Sequence, residues 1–172
     1  VSVGGSAVRG NREKIITILM RIWIAGAERT DPLRREGLVL LKGLPESDRL
    51  AVHWCMTLAE YPFWGTVAET VGRLLRLQET ITAMQVQRRI RESLGERETV
   101  ARAARRILRS FIDWKVLVET ARKGSYVANR PVRVTNAPLV KWMVEALLCS
   151  VSSEWVPLDS VQGHPSLFPF AL

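Results

Sequence analysis

Residues 97–114 read as one long helix with two unlike faces. Val100, Ala104, Ile107, Leu108 and Phe111 recur at helical spacing and form a single apolar stripe. Arg102, Arg105, Arg106 and Arg109 stand at i, i+3, i+4 and i+7, so they make a continuous guanidinium row on the other side. Glu98 and Asp113 are the acids within this segment. The fold must bury one side of this helix and leave the other in water.

The flanking residues narrow the choice further. Thr80-Ile81-Thr82 is short and β-branched, and residues 83–94 follow as a helix with Val86, Ile90 and Leu94 four apart. Gly95 supplies the turn into the long helix. Residues 116–120 and 126–128 form a hairpin around Arg122-Lys123-Gly124-Ser125, with Gly124 available for a positive φ and a basic tip.

The order short strand, helix, glycine turn, long helix, hairpin resembles the winged helix-turn-helix superfamily over residues 66–134. Residues 105–117, from Arg105-Arg106-Ile107-Leu108 to Lys115-Val116-Leu117, look like the end of a recognition helix entering its wing. The resemblance implies that the second helix lies in a DNA major groove and that the wing touches the backbone or minor groove. One departure is visible. Members of the superfamily commonly have glycine just after this helix, where a left-handed residue is favoured, and this chain has Lys115. Keeping that geometry with a lysine costs around 1 kcal/mol.

Charge points to the same segment. Residues 73–133 hold 15 Lys and Arg against 6 Asp and Glu, a net of +9, whereas the rest of the 172-residue chain holds 10 against 11. A solubility device spreads over a surface, and a polyanion footprint concentrates. The expected interface therefore has Arg102, Arg105, Arg106 and Arg109, with Ala101, presented to the major groove. Gln85, Arg88 and Arg89 stand near the backbone, and Arg122, Lys123 and Arg130 meet flanking phosphates. Arg88, Arg89 and Arg91, with Gln85 and Gln87, are weaker candidates, because a helix of that length shows water a charged face in any case. Duplex DNA follows from the resemblance; RNA satisfies the same charge, although no aromatic RNA-binding signature is present. A different class of function also fits, a protein adaptor or assembly subunit built on the same scaffold.

The N-terminal part reads as helical. Asn11 caps a first helix, and the apolar run 15–27 is too short to span a bilayer and reads as a core helix. Asp31 and Pro32 open a second helix, as N-cap and first helical residue, and Gly43 closes it. A third helix starts at Leu44-Pro45-Glu46 and breaks at Pro62, and a fourth begins near Phe63. Asn136-Ala137-Pro138 caps a last helix over 139–151. Beyond Trp155 the prolines and Leu167, Phe168 and Phe170 describe an extended apolar tail that either folds back or docks on a partner or a second copy.

The expected fold is mainly α with a short β-hairpin wing. It divides into a helical N-terminal lobe (1–62), the winged helix-turn-helix module with its following helix (63–151), and the tail (152–172). An apolar content of 47% supports a well-packed core. Cys55 and Cys149 read as free thiols, which fits a reducing, cytoplasmic setting. Most of the six tryptophans sit in apolar helix stripes and read as core rather than base-stacking platforms. Nothing in the residues resembles an enzyme, a metal site or a cofactor site. His53 and His164 are far apart in sequence, His53 and Cys55 point to opposite sides of a helix, and no Gly-x4-Gly-Lys loop is present.

Overall fold

The computed structural model describes residues 6–151, 161 and 163–172, with side chains from Arg12 onward. The expectations for residues 1–5, for Trp155 and for Pro157 lie outside the described residues. The chain is mainly helical, with seven α-helices and five short strands among those residues. In order these are α1 (Ser6–Trp23), α2 (Asp31–Gly43), α3 (Glu46–Glu60), α4 (Pro62–Leu77), β1 (Thr80–Thr82), α5 (Ala83–Leu94) and α6 (Glu98–Asp113). They are followed by β2 (Leu117–Glu119), β3 (Ser125–Ala128), β4 (Val132–Arg133), α7 (Ala137–Val151) and β5 (Phe170–Ala171). Short 3₁₀ turns occupy Glu28–Thr30 and Pro165–Leu167.

α3 is the central element because it is apolar on nearly every side. Ala51, Val52, Trp54, Cys55, Met56, Leu58 and Ala59 are all fully buried, as suits a helix surrounded by others. α2, α4 and α7 pack around it. Trp54 is the meeting point: its ring lies 4.8–6.1 Å from those of Trp64, Phe111, Trp114, Phe168 and Phe170. Its indole N–H donates to the Ser166 carbonyl at 2.9 Å, so burial leaves that donor satisfied. Trp142 likewise donates to the Leu33 carbonyl at 2.8 Å. The core reading of the tryptophans holds for Trp54, Trp64 and Trp142, which are buried, and Trp23 and Trp114 pack partly buried against them.

α5 and α6 pack on each other and on α4 and add Val86, Ile90, Leu108 and Phe111 to the same core, beside a small antiparallel sheet of order β1-β3-β2. Ile81 pairs with Tyr126, and Val118 with Val127. Three backbone positions with positive φ set the turns: Gly95 (87°) after α5, Lys115 (58°) after α6 and Gly124 (75°) in the hairpin. Lys115 thus adopts the left-handed conformation expected at a position where glycine is favoured.

Three expectations need correction. Helix α1 starts at Ser6, before Asn11, and it is not a core helix. Among its described side chains Ile22 is buried, while Ile15, Ile16, Ile18, Leu19 and Met20, and Ile24 just beyond the helix, are 43–66% exposed. The reason is reach: α1 packs on α3, and Ile22 and Trp23 in its last turn are the described side chains that enter the core. Asp31 is the first residue of α2 rather than its cap, because the preceding 3₁₀ turn runs directly into the helix with Thr30 at the N-cap. Asp31 instead pairs with Arg34, which also holds the fully buried Glu60 carboxylate at 2.7 Å. Finally, the tail is not merely extended. Its 3₁₀ turn packs on α4, and β5 pairs in parallel with β4, Val132 opposite Phe170. Leu167 and Phe170 are buried, so burial of the apolar side chains folds the tail back.

Candidate nucleic-acid interface

The site starts from α6. Ala104, Leu108 and Phe111 are buried against the body, and Val100 and Ile107 are partly so, as the stripe requires. That fixes the rotation of the helix and turns Arg102, Arg105, Arg106 and Arg109 into solvent, all four exposed. Their charges are not equivalent. Arg102 pairs with Glu98 at 3.1 Å and Arg109 with Asp113 at 3.4 Å, each at i,i+4 spacing. Among the described residues Arg105 and Arg106 make no ion pair, so the uncompensated charge lies in the middle of the row.

Two expected contacts fail on geometry. Ala101 is 2% exposed. It turns toward α5, at a cleft of about 380 Å³ lined also by Gln87, Arg91, Arg97 and Arg105. A buried methyl group cannot be presented to a base edge. Gln85 is half-buried and spent on a capping box: its carbonyl accepts from the Thr82 backbone N–H at 2.8 Å, and Thr82 Oγ1 accepts from the Gln85 N–H at 3.2 Å. The pattern Thr-x-x-Gln is a helix-start signature, which explains the glutamine without any ligand.

The remaining candidates divide. Arg88 and Arg89 are exposed on α5 and share Glu92, at 3.7 and 3.1 Å. Arg122 and Lys123 are exposed at the hairpin tip, which is tied to the start of α5 by the Ala83 N–H donating to the Gly124 carbonyl at 3.0 Å. Glu119 Oε1 accepts from the Gly124 N–H at 2.8 Å, so an acid belongs to the turn itself. Arg130 is exposed but follows β3, at the end of the strand away from that tip. It neighbours Asn129, whose side-chain amide donates to the Lys115 carbonyl at 2.8 Å. The expected basic wing is therefore two separate groups, one at each end of the hairpin.

The sequence reading missed Arg97, which it used only to mark a helix start. Arg97 joins Arg91 and Arg105 around the cleft between α5 and α6, beside Glu96 and Glu98. The signal was its place two residues after the Gly95 turn, where the chain reverses and brings the end of α5 against the start of α6.

The histidines stay apart from this face. His53 lies edge-on to Trp23, and His164 accepts from the Ser166 N–H; burial pushes the pKa of each below its ordinary value. Cys55 is a buried free thiol whose pKa burial raises, and Cys149 is free and half-buried. Among the described residues no three metal-ligating side chains cluster, and no helix is long and apolar enough to cross a membrane. Compared with known proteins, the chain matches no family model, no curated sequence and no solved structure.

Proposed function

We propose that residues 66–134 form a winged helix-turn-helix module that binds duplex DNA without catalysis, with α6 as the recognition helix. The observation that carries this reading is the exposed arginine face of α6, whose central members Arg105 and Arg106 make no ion pair among the described residues. Like charges at i,i+4 destabilise a bare helix, and phosphates supply the missing counter-charge. The strand order β1-β3-β2, with α5 and α6 inserted between β1 and β2, supports the winged arrangement. Arg91 and Arg97 join Arg105 as phosphate contacts at the start of α6, and Arg122 and Lys123 reach a flanking backbone. Ala101 and Gln85 take no part.

The test is fluorescence anisotropy of a labelled mixed-sequence duplex across a salt series. Wild type is expected to bind with a log–log slope of about −0.9 per phosphate contacted. A folded Arg102→Ala/Arg105→Ala/Arg106→Ala variant should lose affinity and flatten the slope. Salt-insensitive binding, or none at low ionic strength, discards this reading in favour of a protein adaptor, which neutralising the arginines would leave intact.

A further inference from the structure

We propose that the cavity between α1, α3 and the end of α6 binds a small planar aromatic carboxylate. It measures about 360 Å³, and its walls include Leu19 and Trp23 of α1, Leu50, His53 and Thr57 of α3, and Trp114, which follows α6. Ligand sites run from roughly 300 to 1,000 Å³, so this one suits a molecule of one or two rings and not a helix or a nucleotide. Two indoles in the lining offer a flat guest stacked or edge-on contacts. Thr57 is buried, Trp23, Leu50 and Trp114 are half-buried, and Leu19 is exposed, so the apolar wall runs from the core out to the mouth.

The polar groups decide what the guest carries. Thr57 Oγ1 donates to the His53 carbonyl at 2.7 Å, so that proton is already used. His53 lies at the mouth, edge-on to Trp23 with 5.3 Å between ring centroids, and its ring nitrogens make no hydrogen bond among the described residues. The imidazole is therefore an unspent hydrogen-bonding group beside an apolar lining, the arrangement that orients a ligand. Arg49 stands one turn earlier on α3, exposed and without an ion pair among the described residues. Partial burial and the Arg49 charge both lower the His53 pKa, and no acid acts against them. The other residues of the lining are not ionisable. The field at His53 is thus positive, and its complement is an anion. At pH 7 the imidazole is neutral and donates one N–H to a carboxylate, while Arg49 supplies the counter-charge.

This inference goes beyond the DNA-binding reading and does not rest on it, so its test contains no nucleic acid. Isothermal titration calorimetry of the full chain with naphthoate and with benzoate should show one site per chain. Naphthamide, with the same rings and no charge, should bind roughly tenfold more weakly than naphthoate. Arg49→Ala should lower the affinity several-fold with an unchanged circular dichroism spectrum, because its side chain is exposed and unpaired. A folded Leu50→Trp variant, which fills the cavity from its α3 wall, should not bind. A bound carboxylate raises the His53 pKa, so binding takes up protons, and affinity should rise as pH falls from about 7.5 to about 6. His53→Gln should remove that dependence. Aromatic anions also associate with arginine clusters, so Arg105→Ala/Arg106→Ala is the control and should bind as wild type does. The proposal is overturned if neither acid binds at millimolar concentration, or if the amide binds as tightly as the acid. Full affinity in folded Leu50→Trp, or loss of binding in Arg105→Ala/Arg106→Ala, overturns it equally.

Discussion

Lys115 shows how far one residue can be read from its neighbours. Its φ of 58° follows from the need to turn from α6 into β2 within three residues, and its carbonyl is fixed by the Asn129 amide. An L side chain there pays roughly 1 kcal/mol, which glycine avoids, while glycine loses a similar amount through the freedom of the unfolded chain. Lys115→Gly is therefore expected to leave the urea midpoint unchanged or raise it slightly; a large loss would contradict the helix end. His164 gives the opposite lesson, because nothing local in the sequence marks it. Its Nδ1 accepts from the Ser166 N–H, and burial lowers its pKa, with Arg73 and Arg76 acting in the same direction and Glu69 against them. A group whose folded pKa lies below its unfolded value of about 6.5 takes up its proton first in the unfolded chain. Stability should thus fall as pH drops from about 6.5 toward the folded value, and thermal melts of His164→Gln should show a shallower fall over that window than wild type.

Elements were legible where period and punctuation agree. The α6 stripe, the Gly95 turn and the hairpin around Gly124 all stand where the residues put them, because each is decided within one or two turns of chain. The tail was not, since its conformation depends on α4. Gly72 sits in the middle of α4, and a Cβ there would strike the Pro165 carbonyl. The glycine is required by this close approach. Two effects compete in Gly72→Ala. Alanine gains about 1 kcal/mol of helix propensity, but pushing backbone from a packed core costs typically 1–3 kcal/mol. The obstacle is backbone and not a flexible side chain, so the second effect should win. Chemical denaturation should show a net loss of up to about 2 kcal/mol, with increased protease cutting near the C-terminus. A stabilised variant would mean that the tail does not dock on α4 in this way.

At the scale of the whole molecule, the segregation of charge was readable by counting, whereas the local cancellation within it was not used. Glu98 and Asp113 were visible at i,i+4 from Arg102 and Arg109, yet the row was read as uniform; the structure concentrates its free charge at Arg105 and Arg106. The exposure of α1 was hidden for a different reason. A run of isoleucines says that a helix is apolar, not which of its side chains the rest of the chain covers. The arginine face allows stability and binding to be separated in one experiment. Among the described residues Arg105 and Arg106 make no side-chain hydrogen bond or ion pair that their loss would leave unpaired, so Arg105→Ala/Arg106→Ala should keep its folding free energy within about 0.5 kcal/mol, as surface changes do. Relief of like-charge repulsion moves that small change toward greater stability, while affinity for duplex DNA falls. Glu98→Ala/Asp113→Ala works the other way: it frees Arg102 and Arg109, and should lower the melting temperature and tighten binding at low salt. Opposite signs in the two variants identify the row as a face kept for a polyanion at some cost to the fold. A loss of a kilocalorie or more in the arginine variant would instead make those side chains part of what holds α6 in place.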